Sequence, residues 1–374
     1  MKNVIIFLLF FILTISFSKN IYAQKFEILN GLTIGGGITM VLQNLQNSNV
    51  SEPKNTDGDL LEPNKTPTLG QYSIDLTVKK NFDDNNIAYI HLDIGKGDIG
   101  YYLDSYANVN GDANDKGVVT LKEAWFKHKF NKEFAMSVGI LDSDKALDEN
   151  AYANDEKTQF LGEMFKNSIN IDFADHAFGL KAAYKTDFAD FAVQYIDARN
   201  NSEDIIKYGF VSVQINFKPE FIDDMDGNYR VFGWTNIGDY EKFDGNGKGK
   251  DYGFGISFDQ QFMDIFGGFA RYSWKNGNIA SGEHTWSLGL QAEVKGIIKK
   301  DVVAVAYGQI IPSNYYKDYF NKNAKSENHL EVYYNWKITD YLGVSPDFQM
   351  VENPYFNEND DTAYVSSIRI QVSF

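Results

Sequence analysis

From about residue 26 to its last residue the chain changes character at every step. Val211, Val213, Ile215 and Phe217 alternate with Ser212, Gln214 and Asn216; Tyr252, Phe254, Ile256 and Phe258 alternate with Gly253, Gly255, Ser257 and Asp259. Trp286, Leu288, Leu290 and Ala292 alternate with Ser287, Gly289, Gln291 and Glu293. A period of two gives an extended strand one apolar face and one wet face. No stretch longer than about twelve residues follows the 3.6-residue period of an amphipathic helix. The expected fold class is all-β.

The joins narrow this further. The alternation predicts sixteen strands, centred near 26–42, 70–80, 86–94, 118–130, 134–142, 177–185, 188–197, 205–218, 228–237, 251–261, 265–274, 284–295, 300–310, 328–338, 341–351 and 362–374. Joins after even-numbered strands are mostly short: 81–85, 131–133, 186–187, 296–299 and 339–340. Joins after odd-numbered strands are mostly long: 43–69, 95–117, 143–176, 238–250, 311–327 and 352–361. Tight turns on one side and long loops on the other suit a single closed antiparallel outer-membrane barrel with periplasmic turns and extracellular loops. A sandwich has no reason to segregate loop length in this way. Closure follows from the medium, because lipid cannot satisfy an open sheet edge. The last strand sets Ile368, Ile370, Val372 and Phe374 against Ser367, Arg369, Gln371 and Ser373. Its aromatic end resembles the C-terminal signature of outer-membrane barrels, which implies the barrel-assembly machinery as a partner.

Export is expected. Lys2 precedes an apolar run, Val4 to Phe17, and a polar stretch ends at Ile21-Tyr22-Ala23. Residues 1–23 read as a signal peptide and 24–374 as the barrel. Cleavage after Ala23 removes Lys2 and Lys19 and no acid, taking the net charge of −16 to −18. With no cysteine, disulfides, thiolate metal sites and a lipid anchor on cysteine are excluded. A chain this acidic is a poor partner for nucleic acid.

If the apolar faces meet lipid, the inward set includes Asp75, Lys79, His91, Asp93, Lys181, Lys185, Gln194, Gln214, Asp259, Arg271, Gln291, Glu293, Glu331, Asn335, Lys337, Asp347, Gln349, Arg369 and Gln371. So many charges on one face require water there, since dry unpaired charges cost several kcal/mol each. About sixteen strands leave an aqueous channel. The expectation is a pore in a bacterial outer membrane, with lipid and lipopolysaccharide around it. Facing is ambiguous along 125–130 and 230–234, where a one-residue slip would exchange the two faces.

Three blocks carry a resemblance: LDSDKALDENAYANDEKTQF from Leu141 to Phe160, LKEAWF from Leu121 to Phe126, and EVYYNWKITDYLGVSPDFQMVENP from Glu331 to Pro354. In order and spacing they resemble the carbohydrate-selective porin family (OprB type), from about residue 115 onward and more loosely from 26. The resemblance implies a sixteen-stranded porin passing sugars by diffusion, with loop 143–176 folded into the pore. That stretch offers Asp142, Asp144, Asp148, Tyr152, Asn154, Asp155 and Gln159. The wall adds Glu123, Lys181, Arg271, Glu331, Asp347, Gln349 and Arg369. Acceptors beside flat aromatic rings suit the hydroxyls and apolar ring faces of sugars. For any one of these positions an ordinary wetted wall residue or a loop-anchoring hydrogen bond is an equally simple role.

Four long loops, 43–69, 95–117, 143–176 and 352–361, together carry a net −13, an acidic rim that favours cations. Asp112-x-Asn114-x-Lys116-Gly117 followed by Glu123 has the outline of a loop for Ca²⁺, but Lys116 stands where a ligand is needed and a turn is the simpler reading. No other cofactor is suggested. The five histidines have no zincin spacing and no G-x-S-x-G elbow occurs, so no enzyme is expected. Two alternatives to a sugar porin stay open: a general, weakly cation-selective porin, and a non-transporting barrel acting as adhesin or receptor.

Overall fold

The computed structural model describes residues 26–55, 58–112, 116–197, 208–219, 225–296 and 300–374. The expected signal peptide and Asn114 lie outside these residues.

A four-residue strand, β1 (Phe26–Leu29), precedes sixteen that form the wall. These are β2 (Leu32–Gln46), β3 (Thr68–Asn81), β4 (Asn86–Lys96), β5 (Lys116–Lys129), β6 (Phe134–Leu141), β7 (Ala177–Lys185), β8 (Ala189–Asp197) and β9 (Gly209–Phe217). The second half comprises β10 (Gly227–Glu241), β11 (Lys248–Met263), β12 (Phe266–Lys275), β13 (Gly282–Lys295), β14 (Lys300–Pro312), β15 (Glu327–Lys337), β16 (Leu342–Glu352) and β17 (Ala363–Ser373). Each pairs antiparallel with its sequence neighbours, and β17 pairs with β2 from Tyr364↔Gln46 to Ser373↔Gly37. Gly36 and Phe374 exchange two backbone hydrogen bonds, of 2.9 and 3.0 Å, at the end of that seam. The sheet is thereby a closed barrel without a free edge along β2 to β17, as the alternation predicts.

The first predicted strand is instead two. At Gly31 the backbone turns with φ 74°, and β1 folds back on the start of β2. A Cβ at Gly31 would stand 2.3 Å from the Asn81 carbonyl oxygen, so both the turn and the approach need glycine. The expected long join at 238–250 is also shorter, because β10 and β11 run on as a hairpin closed by residues 242–247.

Burial is inside out. Along β3, Gln71, Ser73 and Asp75 are buried while Tyr72, Ile74 and Leu76 are exposed. Along β17, Ser367, Arg369 and Gln371 are buried and Tyr364 and Ile368 exposed. Exposed Phe82, Phe130, Phe188, Phe217, Phe262, Phe266 and Phe374 stand near the turn end of the wall, the place of an aromatic girdle. The two ambiguous segments resolve: Phe126 and Val231 point out, whereas Arg230, Phe232 and Trp234 are buried inside.

The interior is not uniformly wet, which corrects the expectation of an all-polar inner face. Among the described residues, four apolar clusters sit within it, the smallest being Leu141, Ala177 and Ile196 with Trp125 packed on them. The three larger ones are these. Phe160, Met164 and Phe165 pack with Phe269, Ala304, Ala306 and Tyr333; Ile99, Leu103 and Val109 pack with Leu45, Val351 and Val365; Leu147 and Ile171 pack with Phe210, Phe232 and Trp234. In each, residues from the 97–112 or 142–176 segment meet inward wall positions. These segments need a dry bed, since surface removed from water is what holds a loop down.

Candidate functional site

Segment 142–176 crosses the interior from its base between β6 and β7 to the opposite wall. Arg271 on β12 holds it most tightly. Its Nε donates to Asp148 Oδ1 at 3.0 Å, and its terminal nitrogens donate to the carbonyls of Phe165 (2.7 Å), Ala153 (2.5 Å) and Lys166 (3.2 Å). Arg369 on β17 donates to the carbonyls of Glu156 and Gln159, both at 2.7 Å. Glu331 on β15 accepts from the backbone N–H groups of Leu161 (2.5 Å) and Gly162 (3.0 Å). A Cβ at Gly162 would lie 2.9 Å from Glu331 Oε2 and 3.0 Å from Gln349 Oε1, so a side chain there would have to displace the two carboxyl and amide ends. The fork of arginine and the paired oxygens of glutamate suit such adjacent backbone partners.

A second segment is packed beneath the first. Gln349 donates to the Val109 carbonyl at 2.9 Å, and Gly111 N–H donates to the Leu161 carbonyl at 2.7 Å. Glu327 accepts from Tyr106 and Ala107 of this segment and from Tyr355 of the 353–362 join, with His329 at 2.6 Å. Sequence reasoning singled out only 143–176 as an inward loop; the apolar Ile99, Leu103 and Val109 were the available sign of the second.

Each expected site residue can now be placed. Arg271, Asp148, Arg369, Glu331 and Gln349 hold these segments in place, with Asp347 accepting from Gln349 at 3.1 Å. Asn154, Asp155 and Gln159 build the segment's own turns: Gln159 Oε1 accepts from the N–H groups of Asn154 and Asp155, and Asp155 Oδ2 accepts from the Thr158 hydroxyl. Tyr152 lies over Gly267 of β12, where a Cβ would come within 2.0 Å of its ring. Asp142 caps a single helical turn, Ser143–Ala146. Lys181 donates to the Lys145 carbonyl at 2.6 Å. Glu123 accepts from the Trp125 indole at 2.7 Å.

Asp142, Asp144, Glu123 and Lys181 are the expected residues that reach cavities beside the loop. A cavity of about 200 Å³ is lined by Asp144, Glu163 and Lys166, and another of about 140 Å³ by Glu123, Trp125, Asp142, Lys145 and Lys181. The turn Ser143–Ala146 contributes to both. Larger cavities of about 590 and 470 Å³ lie at the turn end, lined respectively by Lys300, Lys337 and Tyr341 and by Tyr152, Lys218 and Asp226.

Charges of both signs line this side. Lys166 reaches Glu156 (3.1 Å) and Asp144 (3.4 Å), Lys122 reaches Asp93 (3.6 Å), and Lys157 pairs with Asp75, which also holds His91 at 2.7 Å. Burial alone would raise the Asp144 carboxyl, but Lys166 and Lys145 outweigh it and hold it below the usual carboxylate range. Burial and then the neighbouring Asp144 push Asp142 well up. His176 is pushed down to about 4 by burial and Lys122. Lys122, Lys145, Glu156, Lys157 and Lys166 were missed by sequence reasoning. The sign was there, since 145, 157 and 166 are the three lysines of an otherwise acidic loop. Asp144, Asp148 and Glu156 face basic groups inside the barrel, while the net −13 of the four long loops already counts Lys145, Lys157 and Lys166.

Among the described residues no three His, Asp or Glu side chains are grouped to hold a metal. Burial pushes Asp112 up to about 7, with Lys157 opposing, and Glu123 is committed to Trp125. That pair is a poor fit to calcium.

The family model described as "Carbohydrate-selective porin, OprB family" matches residues 97–374. Among solved structures, the high-pH structure of Pseudomonas putida OprB superposes with a TM-score of 0.77 at 13% identity, covering 92% of this chain and 94% of that one. A Rh. blastica porin mutant gives 0.57 at 13% identity, covering 92% and 100%. No curated protein matches the chain. The structural likenesses establish the fold, a sixteen-stranded porin barrel, and the family match over most of the chain establishes kinship: this chain belongs to the OprB family of carbohydrate-selective porins.

Proposed function

We propose that the protein is an outer-membrane channel through which small sugars diffuse down their gradients. The observation that carries this reading is the pair of charged cavities beside segment 142–176, one lined by Asp144, Glu163 and Lys166 and the other by Glu123, Asp142, Lys145 and Lys181, within a wall whose outer face is apolar. Hydroxyl-rich solutes exchange hydrogen bonds with water for bonds to such groups at small net cost. The inward segment narrows the passage; Arg271, Arg369 and Glu331 act by fixing its shape, and the groups at 142–145 meet the solute. Diffusion of this kind needs neither cofactor nor catalytic group.

The exposed apolar band and the phenylalanines at the turn end favour residence in a bacterial outer membrane, with lipid and lipopolysaccharide as neighbours. Phe374 at the seam is the feature for the barrel-assembly machinery to read. Planar-bilayer conductance with titrated sugars is the deciding experiment. Concentration-dependent interruption of current by sugars is expected. Current unaffected by any sugar would favour a general porin, and absence of current a non-transporting barrel.

A further inference from the structure

The joins above β10 to β17 are tied into a roof. Phe243 N–H, in the β10–β11 hairpin, donates to the Asn278 carbonyl between β12 and β13 at 3.0 Å. Ser313 N–H, after β14, donates to the Ser281 carbonyl at 2.7 Å, and Lys325 N–H, before β15, donates to the Phe356 carbonyl at 3.1 Å. Aromatic rings fill the spaces between. Phe243 meets Phe320 and Tyr316, Tyr316 meets Phe356, and Phe356 meets Tyr106 of the inward 97–112 segment, with ring centres 5.1 to 6.2 Å apart. Tyr106 also packs on the interior cluster that contains Ile310. The rings therefore lie over the mouth and not along the outer wall.

One side of this cluster is bare. A short helix, Asn314–Tyr319, turns Tyr316 into it and leaves Tyr315, Tyr319 and Phe320 42%, 53% and 64% exposed. Tyr315 and Tyr319 stand one helical turn apart, about 5–6 Å between Cβ atoms. Tyr355, beside Tyr106 at 6.3 Å, is exposed as well. Its backbone is strained, with φ of 46° at Tyr355 and 67° at Phe356, left-handed values that residues with a large side chain rarely adopt. Glu327, accepting from Tyr355 N–H at 2.6 Å, holds that turn, which buries Phe356 and shows Tyr355 to solvent. A contiguous patch of exposed rings marks a contact site.

Charge selects the occupant. Four other long joins together carry −13, whereas 311–327 sets Lys317, Lys322 and Lys325 against Asp318 and Glu327, and Lys325 pairs with Glu358 at 3.0 Å. The patch is a nearly neutral aromatic island in an acidic mouth, which repels an acidic polysaccharide and a phosphorylated lipid headgroup alike. Asn314, Asn321 and Asn323 stand among the rings, and flat rings with amides between them suit the apolar faces and hydroxyls of uncharged sugars. Rings set side by side on an open surface favour repeated contacts along a chain over the enclosure of one sugar. We propose that this roof is a capture surface for an uncharged polysaccharide, held at the mouth of the pore. The proposal rests on the outer-membrane porin reading for the side on which these joins stand; the binding itself needs no conduction.

The test runs the full barrel, folded in detergent, through native gels containing soluble starch, dextran or polygalacturonate. Starch or dextran should retard it, and polygalacturonate should not. Removing two exposed rings (Tyr315→Ser with Tyr319→Ser) should raise the dissociation constant for the retarding polymer about tenfold. No retardation by either uncharged polymer, retardation unchanged in the variant, or polygalacturonate retarding as strongly would each overturn the surface. Glucose entry into liposomes, measured by swelling with the native barrel, scores the sugar-porin reading separately, so the two can fail independently. Heat-modifiable electrophoretic mobility checks folding; if the double variant does not fold, Tyr319→Ser alone carries the same comparison.

Discussion

Arg271 and Asp148 form an ion pair, Nε to Oδ1 at 3.0 Å, with 1% and 0% of their side chains exposed. One belongs to the wall and the other to the crossing segment, and Asp148 Oδ2 also accepts from Ser168 N–H at 2.6 Å. Removing one partner leaves the other charge dry and uncompensated, a loss of about 3–5 kcal/mol. Arg271→Ala should therefore release the segment before it unfolds the barrel. Single-channel conductance should rise, with little change in the strand signal by circular dichroism. Unchanged conductance would show that the pair does not set the width.

Glu327 is a second tie, joining two segments that sequence places far apart. It accepts from Tyr106, Ala107 and Tyr355 N–H at 2.8, 3.1 and 2.6 Å. Bonds to a charged acceptor are each worth about 1.5–3 kcal/mol. Glu327→Gln should raise amide exchange at Tyr106, Ala107 and Tyr355 by about tenfold or more while the strands stay protected. Equal protection in both forms would be evidence against a holding role.

Asp112 gives the inward segments a pH response. Burial raises its carboxyl from the ordinary 3.8 to about 7, so the folded state favours the neutral form. A raised acid contributes stability that is complete below its ordinary range and is lost as pH climbs from about 4 to about 7. Packing of the 97–112 segment should thus loosen across that window, and a charge should appear near Lys157. Ion selectivity, measured as reversal potential between pH 5 and 8, should drift in the native protein and stay flat in Asp112→Asn.

Tyr152 and Gly267 should behave as a coupled pair. Gly267→Ala puts a methyl group where the Tyr152 ring lies, and overpacking of this sort costs about 1–3 kcal/mol. Adding Tyr152→Ala should recover most of the loss, a double-mutant cycle read by thermal denaturation. Additive losses would mean the ring does not rest there.

The strands were legible because lipid leaves a period-two pattern little freedom. Even Trp125 and Phe126, adjacent and both apolar, were ambiguous only as a pair; the structure turns Trp125 inward to Tyr89 and Phe126 outward. Arg271 and Arg369 were legible as inward residues. Their partners were not, since the carbonyls of Phe165, Ala153, Glu156 and Gln159 are chemically the same as any others on the chain. The pairing of Lys157 with Asp75 was hidden for a related reason: one residue sits on a loop, whose reach a periodicity cannot report.

The seam between β17 and β2 has a consequence for biogenesis. Gln43 donates to the Ser367 hydroxyl across it, 324 positions away in the chain. Whatever escorts the unfolded polypeptide must keep an early ribbon from aggregating until a late one arrives. A copy that breaks off before its final hairpin would display two raw borders and would be marked for destruction by that exposure alone.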